Sequence, residues 1–576
     1  MEKKTRITAL LAAAFLTFGL AGCGGGTDSP APETAPSASP SPTPTPLTIQ
    51  TSTSGSWVNV ARFSEPHSLD PALVDDPDSV MMCAHLYEGL MRWEDSGEEA
   101  SGGQGVARLT LGQAESYKKE ALKDGGVRYT FTIRKDARWS DGRAVTAQDF
   151  VTGWRRLANS RDSAAYAHIL SSVVNAVEIE MGTQPYDALG VSAPDERTFV
   201  VELVEDSPEF LEYCAHPATA PMRMDVLEKY QNKEWSTQPA EWVSNGAYVL
   251  SGWESYGAIR MTRNWLYAPH LDGPNVITWH YMADEAAAQA ALQDGTVDFV
   301  RRTAADSREA LERAGVLGQA EHAGLYYLAY QSKAEPFDDP RVRQAFTLAL
   351  DRATLAELDP AAGDPAGGFV PGGIADAGGV TGEDFRTTGG DFYSTERADY
   401  AENCKRAREL LALAGYPEGE GFPKVTYLYN TGEVHQQLAE AMQEMWRTAL
   451  GVEVTLQGER WDHYTSLFTE GKFSIARTSW TAEYNDPLDF LYLCAPMAAE
   501  VWYESEEFGA LLDKAATAAG AERMRLAHQA EELLLGRDWA VCPLYFYADY
   551  YITAPNLTGI YRTPLGNYYF NTATRK

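Results

Sequence analysis

Positive charge is scarce in this chain: 48 Lys and Arg stand against 81 Asp and Glu, a formal net charge of −33. A nucleic-acid partner needs clustered Lys and Arg, so the deficit argues against one. It favours solubility and weak nonspecific association. Cysteine is also scarce, six in 576 residues, with no CxxC pair and no Cys/His spacing that suggests zinc. The catalytic and nucleotide signatures are missing as well. There is no GxSxG elbow, no HExxH, no GxxxxGK(S/T) phosphate loop and no dinucleotide GxGxxG. The ten histidines are scattered. Acidic residues are numerous enough to leave a glycosidase-like carboxylate pair open, but no pair stands out. No metal, cofactor or internal repeat is expected. Past the N-terminus no stretch is apolar enough to span a membrane.

What is present begins with an address. Lys3, Lys4 and Arg6 precede the short apolar run ITALLAAAFLTFGLAG, which ends in LAGC at residues 20–23. This order resembles a bacterial lipobox and predicts a lipoprotein signal peptide over 1–22, cleaved before Cys23. Lipid on Cys23 would hold the protein on a membrane without a spanning helix. The alternative is an ordinary secretory signal with a chance cysteine. Residues 23–56 are dominated by Pro, Ser, Thr and Gly, which cannot build a core and keep a tether extended. The folded body is expected from residue 57. Of the other cysteines, Cys83, Cys214, Cys404, Cys494 and Cys542, the odd number leaves at least one free, and most are expected to be small buried residues.

Within the body, KVTYLYN (424–430) alternates and reads as a strand. Leu438, Met442, Met445, Trp446 and Leu450 then recur at helical spacing, closed by Gly451. VEVTLQ alternates again, giving a βαβ unit and hence parallel strands. A helix is expected near Trp461, another strand at KFSIAR, and an amphipathic helix over CKRARELLALAGYP. Residues 361–392, rich in Gly, Ala and Asp, read as a long loop. The segment ARTSWTAEYNDP (476–487) then follows the C-terminal end of a parallel strand, where open α/β sheets place ligands.

Several stretches carry a resemblance. They are RYTFTIRKDARWSDGRAVTAQDFVTGWRRL (128–157), LGVSAPDERTFVVEL (189–203), SNGAYVLSGW (244–253), EPFDDPRVRQAFTLALDR (335–352), RARELLALAGYPEGEGFP (406–423) and LGVEVTLQGERWDHY (450–464). Together they resemble the family 5 extracytoplasmic solute-binding proteins of oligopeptide ABC importers. ARTSWTAEYNDP falls on that family's ligand-pocket segment, and residues 530–561 on its closing segment. The resemblance runs over residues 57–570. It implies an α/β, two-lobed periplasmic-binding-protein-like fold of class II, large type. Lobe I would comprise 57–88, 211–320 and 548–576, with an extra subdomain at 89–210, and lobe II 321–547. The chain would cross the hinge near 320 and near 547.

The same resemblance implies function. A monomeric, membrane-anchored, extracytoplasmic receptor would capture oligopeptides between its lobes. It would pass them to the transmembrane subunits of an ABC permease, whose ATPase subunits hydrolyse ATP; the receptor itself is not an enzyme. Glu483 falls at the acid that receives the ligand α-ammonium, where the best-known peptide binders carry the shorter Asp. Arg477 matches the arginine near the carboxylate of short peptides, or braces a neighbouring acid. His435 matches a histidine that meets the carboxylate of longer peptides. A further basic pocket position falls near Phe468. Trp461 and Trp480 match pocket-wall aromatics, with core packing as the alternative, and Tyr484 belongs to the same segment. Asn245 and Gly246 fit a turn near the cleft. Tyr166 and Tyr547 match tyrosines that face the ligand, and Asp78 is a further carry-over. Rival readings are a receptor of the same fold for a nickel chelate, haem, opine, oligosaccharide or signalling peptide, a secreted hydrolase, and an adhesin or sensor. Arg477 and Glu483 together favour a zwitterionic ligand.

Overall fold

Two long strands, Leu317–Tyr330 and Val541–Thr553, pair antiparallel in the middle of an eleven-stranded sheet and organise the molecule. The computed structural model describes residues 56–576 except 100–104, 124, 160–163, 230–235, 237–238, 240–241, 270–271, 497 and 500. The expected signal peptide, Cys23 and all but the last residue of the linker lie outside the described residues.

The central pair joins two lobes. On one side, Gly324–Tyr330 pairs with Ile475–Thr481, which is followed outward by Val425–Asn430 and Val454–Glu459. On the other side, Val541–Thr553 reaches Phe299–Val300, then Trp57–Arg62 and the strands Val276–Tyr281, Ala258–Arg263 and Tyr248–Trp253. The pairing register of the central strands shifts between Glu321 and Leu325 and again between Tyr326 and Tyr327.

The sequence of the first long strand shows why it sits centrally. Every residue from Ala323 to Tyr330 is buried. Ala323, Leu325, Tyr327 and Ala329 enter one core, and Tyr326, Leu328 and Tyr330 the core on the opposite face. A strand with period-two alternation between two covered faces must be apolar throughout.

The expected βαβ unit is present. Val425–Asn430 and Val454–Glu459 pair in parallel around the helix Glu433–Leu450. That helix buries Leu438, Met442, Trp446 and Leu450 and stops at Gly451, whose φ of 71° is the left-handed cap conformation. The helices Tyr400–Leu413 and Trp461–Thr469 also form where the pattern placed them.

Two expectations are corrected. The strand anticipated at KFSIAR (472–477) runs over Ile475–Thr481, so Trp480 lies within it and not beyond it. Its hydrogen bonds to the central strand carry it past the end of the apolar run. Residues 361–392 are also not one loop. They hold the strands Ala362–Pro365, Ala375–Asp376 and Gly379–Asp384 and the helix Phe385–Gly389, whose Phe385 is buried in the lobe core. Glycine-rich composition hid these short elements: Ala375–Asp376 and Gly379–Asp384 pair only with each other, and Ala362–Pro365 pairs with the distant strand Val541–Thr553.

In the N-terminal part, Ala114–Ala121, Val127–Ile133, Thr198–Leu203 and Val191–Ser192 form a separate four-stranded sheet. The helix Ala147–Leu157 covers it, started by a capping box between Thr146 and Asp149. The C-terminal residues Tyr561–Arg562 pair with Gly105–Leu111, returning the tail to this half. All five described cysteines are buried and free. Among the described residues no helix is long and apolar enough to cross a membrane.

Candidate functional site

The strand Ile475–Thr481 brings its residues to the lobe boundary because it pairs with the central strand up to Gly324, beside the register break. Arg477 lies opposite Leu328 and is only 7 % exposed. Its guanidinium donates to Asn430 Oδ1 at 2.7 Å and to Ser479 Oγ at 2.9 Å, and lies 5.0 Å from the Tyr326 ring centre. Its Nε is buried without a partner, and no carboxylate among the described residues pairs with it. A buried guanidinium held only by neutral groups is costly until an anion arrives.

Three of the other expected residues gather near it. His435 stands 3.4 Å from the Tyr326 hydroxyl through Nδ1. Burial, and then the charge on Arg477, lowers its pKa to about 4. It is therefore neutral at pH 7, a hydrogen-bonding group and not a second cation. Tyr547 lies with its ring 6.0 Å from those of Tyr545 and His322, and burial raises its pKa. Trp461, 37 % exposed, stacks at 5.4 Å on Tyr464, whose hydroxyl donates to the Arg477 carbonyl. Phe468 is buried in the lobe core against Phe473.

The other end of the segment is acidic. Glu483 is half-buried, and its carboxylate takes no hydrogen bond or ion pair from the described residues. Burial raises its pKa, opposed by the charge of His168 from the other lobe. Asp489 Oδ2 accepts the Trp480 indole N–H at 3.1 Å and the Glu483 backbone N–H at 2.9 Å. Burial and then the charge on Glu483 push the Asp489 carboxyl up as well.

Lobe I meets this end directly. The Tyr484 ring is 6.5 Å from Tyr213, edge to face, and the Asn485 N–H donates to Glu212 Oε2 at 3.3 Å. Burial drives the Glu212 pKa up to about 7 against that hydrogen bond, with Asp486 and Glu209 adding to the rise. Tyr166 lies 4.6 Å from His216 and 6.1 Å from His168, ring to ring.

Three expected residues stand elsewhere. Asn245 is fully buried and clips the chain at Glu88, donating to its carbonyl at 2.7 Å and accepting its N–H at 3.3 Å. Gly246 is buried where an added Cβ would lie 2.6 Å from backbone atoms of Leu86 and Tyr87. Asp78 holds the Phe63 N–H at 2.8 Å and lies 3.5 Å from Arg301. A cavity of about 310 Å³ within lobe I, lined by Glu88, Arg92, Trp93 and Tyr267, shares no residue with this site. Its charges are largely paired, Glu88 with Arg134 and Arg92 with Glu94.

Sequence reasoning missed Asn430, Tyr326, His168, Tyr213, Glu212 and Asp489. Asp489 alone left a local signal, six residues after Glu483 in EYNDPLD. The others converge only through tertiary contacts.

Comparison with known proteins agrees with this architecture. Residues 109–498 match the family described as bacterial extracellular solute-binding proteins, family 5 middle. The periplasmic oligopeptide-binding protein OppA of Escherichia coli is 31% identical over 519 residues, covering 88% of this chain and 90% of that protein. The oligopeptide-binding protein OppA of Bacillus subtilis is 29% identical, covering 90% and 92%. Among solved structures, the unliganded open form of the murein tripeptide binding protein MppA superposes with a TM-score of 0.78 at 28% identity, covering 92% of this chain and 99% of that one. Haemophilus influenzae OppA in complex with the peptide RPPGFSPFR gives 0.60 at 27% identity, covering 90% and 99%.

Proposed function

The chain belongs to family 5 of the bacterial extracellular solute-binding proteins, and from that premise we propose that it captures oligopeptides between its lobes and delivers them to an ABC permease while anchored by lipid on Cys23. The observation that carries the peptide reading is a pair of unsatisfied charges on one segment. Among the described residues Arg477 is a buried guanidinium without a carboxylate, and Glu483 a half-buried carboxylate with no hydrogen bond or ion pair, only the more distant charge of His168 opposing its burial. A peptide supplies both missing partners, an α-carboxylate and an α-ammonium.

Glu483 lies six positions beyond Arg477, along a path that starts on an extended strand. At about 3.3 Å per residue this puts the two charges roughly 15–20 Å apart, the length of an extended peptide of about four to six residues. Trp461, Trp480, Tyr484, Tyr166 and Tyr547 would wall the space between.

Capture would proceed by closure about the register break at 321–325 and the neighbouring stretch near 547. The higher TM-score with an unliganded open form than with a peptide complex supports assigning this conformation to the open state. Ligand contacts with both lobes would then favour the closed state. Asn245, Gly246 and Asp78 act in this reading as supports of lobe I.

The test is calorimetry on residues 57–576, unfolded and refolded to strip carried-over ligand, with random peptide pools of two to eight residues. Binding at about micromolar Kd or tighter, near −8 kcal/mol, with intact peptide recovered, supports the proposal and gives the length window. Absence of heat with every pool on a folded protein would reject peptide as the ligand.

A further inference from the structure

Among the described residues three tryptophans are exposed: Trp461 at the candidate site, and Trp57 and Trp265, at 37 % and 75 %, at one end of lobe I. The lobe I sheet brings these two together. Trp57 opens its strand and pairs with Val276, which pairs in turn with Thr262, so Thr262 stands two strands, about 10 Å, from Trp57. The chain beyond Thr262 turns at this same end and presents Trp265 next to Leu266, itself 45 % exposed. Each indole has an arginine beside it. The Arg263 guanidinium lies 5.3 Å from the Trp265 ring and donates to the Gly273 carbonyl, and that of Arg575 lies 5.8 Å from the Trp57 ring. Neither indole enters the lobe I core, so Trp265 leaves almost all of its large apolar surface in water.

This is also the end at which the expected tether arrives. Ser56 is the first described residue, and its carbonyl and hydroxyl both accept the Asn275 N–H, at 2.7 and 3.0 Å. The other end of the strand Trp57–Arg62, roughly 15–20 Å away, is turned to the cleft. There the Ser64 hydroxyl donates to Asp76 Oδ1 at 2.7 Å, and burial, with the Asp76 charge adding to it, raises the pKa of Tyr166.

We propose that the Trp57 end of lobe I is a bilayer-contacting face, in which Trp265, Leu266 and Trp57 seat in the headgroup region of the phospholipid surface and hold the receptor in a resting pose with its cleft turned away from the membrane. This rests on the lipid anchor at Cys23 proposed above and extends it from a tether to an orientation. Indole rings settle at the membrane–water interface, with an apolar body inward and a polar edge toward the headgroups. A formal net charge of −33 gives the protein no general attraction to an anionic leaflet, so the contact is read by aromatic and aliphatic groups and not by charge. The contact need not be strong. A tether over residues 23–56 keeps the body within roughly 30–100 Å of the bilayer, and at that effective concentration a weak surface contact is well populated.

The experiment uses the full chain, lipidated at Cys23 and reconstituted in phosphatidylcholine vesicles with and without a spin-labelled phospholipid that quenches fluorescence on contact. Cys83, Cys214, Cys404, Cys494 and Cys542 are buried, so an introduced surface thiol takes a nitrobenzoxadiazole label selectively. One protein carries Asn275→Cys, an exposed position between Ser56 and Arg263. A second carries Ala401→Cys, exposed on the lobe II helix Tyr400–Leu413. The label at 275 should be quenched by the spin-labelled lipid and the label at 401 should not. Adding Trp265→Ser and Leu266→Ser to the Asn275→Cys protein should bring its quenching down to the level at 401, while the protein stays with the vesicles through its acyl chains. This pair of substitutions separates a seated face from mere nearness to the tether. Equal quenching at 275 and 401 in the otherwise native protein would overturn the proposal and leave the exposed patch to a protein partner. So would quenching at 275 that survives both serine substitutions. If the lipidated native chain does not float with the vesicles, the anchor reading itself fails and this proposal falls with it.

Discussion

Replacing Glu483 with Gln separates a ligand-binding role from a structural one. In the unliganded protein the Glu483 carboxylate makes no hydrogen bond with the described residues, so the substitution breaks no internal contact. Its charge lies beside Asp489, whose own carboxyl it helps to push up. Neutralising it relieves repulsion, and the melting temperature should stay level or rise. Binding should respond in the opposite sense. Losing one partner of a desolvated charge pair costs about 2–4 kcal/mol, or roughly 30- to 1000-fold in Kd. That loss should appear only for peptides with a free amine, because an N-acetylated peptide brings no ammonium to lose. The assay is paired calorimetry with free and acetylated forms of one peptide, alongside thermal melts of both proteins. Equal loss for the two peptides would refute Glu483 as the ammonium partner. A marked fall in melting temperature would refute the reading of its carboxylate as unsatisfied.

Arg477→Met should erase the preference for a free C-terminal carboxylate over its amide, a loss of about 2–5 kcal/mol for the free acid, measured by the same calorimetry with amidated peptides. Glu212→Gln tests the acid at the lobe contact. Its folded pKa is raised to about 7, so the native protein gains stability as pH falls from 7 to about 4.5, where folded Glu212 binds a proton that the unfolded chain does not. The variant, which keeps an acceptor for the Asn485 N–H, should be more stable than the native protein by about 1–3 kcal/mol at pH 8, with the difference gone by pH 4.5. Denaturant unfolding at the two pH values reads this, and a difference that does not change with pH would refute it. Gly246→Ala forces a Cβ to 2.6 Å from backbone atoms and should cost about 1–3 kcal/mol of stability. Peptide affinity of the folded fraction should be unchanged, which separates a support of lobe I from a wall of the cleft.

Local pattern made one part of this protein legible. The helix Glu433–Leu450 and its two parallel strands repeat apolar residues at 3.6 and 2, and each period reports which faces are covered. The pattern ends the strand Ile475–Thr481 at Arg477, too early, because Arg477, Thr478, Ser479 and Thr481 are polar and the apolar alternation stops there. Those polar side chains lie along a face of the sheet that meets the site, and the strand persists through backbone pairing to Gly324 and Leu325. Function and fold compete at that point, and the hydrophobic period loses. The short strands within 361–392 were hidden for a different reason: Ala362–Pro365 pairs with a strand about 180 residues away in the chain. Arg477 and Glu483 could be named from the resemblance, but their lack of internal partners could not. A sequence gives the charge of a residue and is silent on whether another residue neutralises it. His435 shows the converse, since only its burial beside Arg477 decides that it is neutral.

That contrast bears on how the site works. Several buried charges elsewhere in the molecule are matched, Arg386 with Glu531 at 2.6 Å, Arg575 with Asp298 at 2.5 Å and Arg523 with Asp486 at 2.7 Å, whereas the buried Arg343 and Arg352 are held by backbone carbonyls and other neutral groups. On the segment 476–487, Arg477 has no carboxylate partner and Glu483 no ion pair among the described residues. Each unmatched buried charge disfavours the empty protein by an amount that a correct ligand removes. A ligand lacking the carboxylate or the ammonium leaves that cost in place, and a neutral isostere gains nothing from either end. On the proposed reading, selectivity for a zwitterionic chain would come from the ends, while side chains between them would face aromatic walls that discriminate little. In the proposed closure, the register break beside Gly324 would let the two lobes approach without disturbing the strand that carries Arg477, so the same segment would recognise the ligand before closure and hold it afterwards.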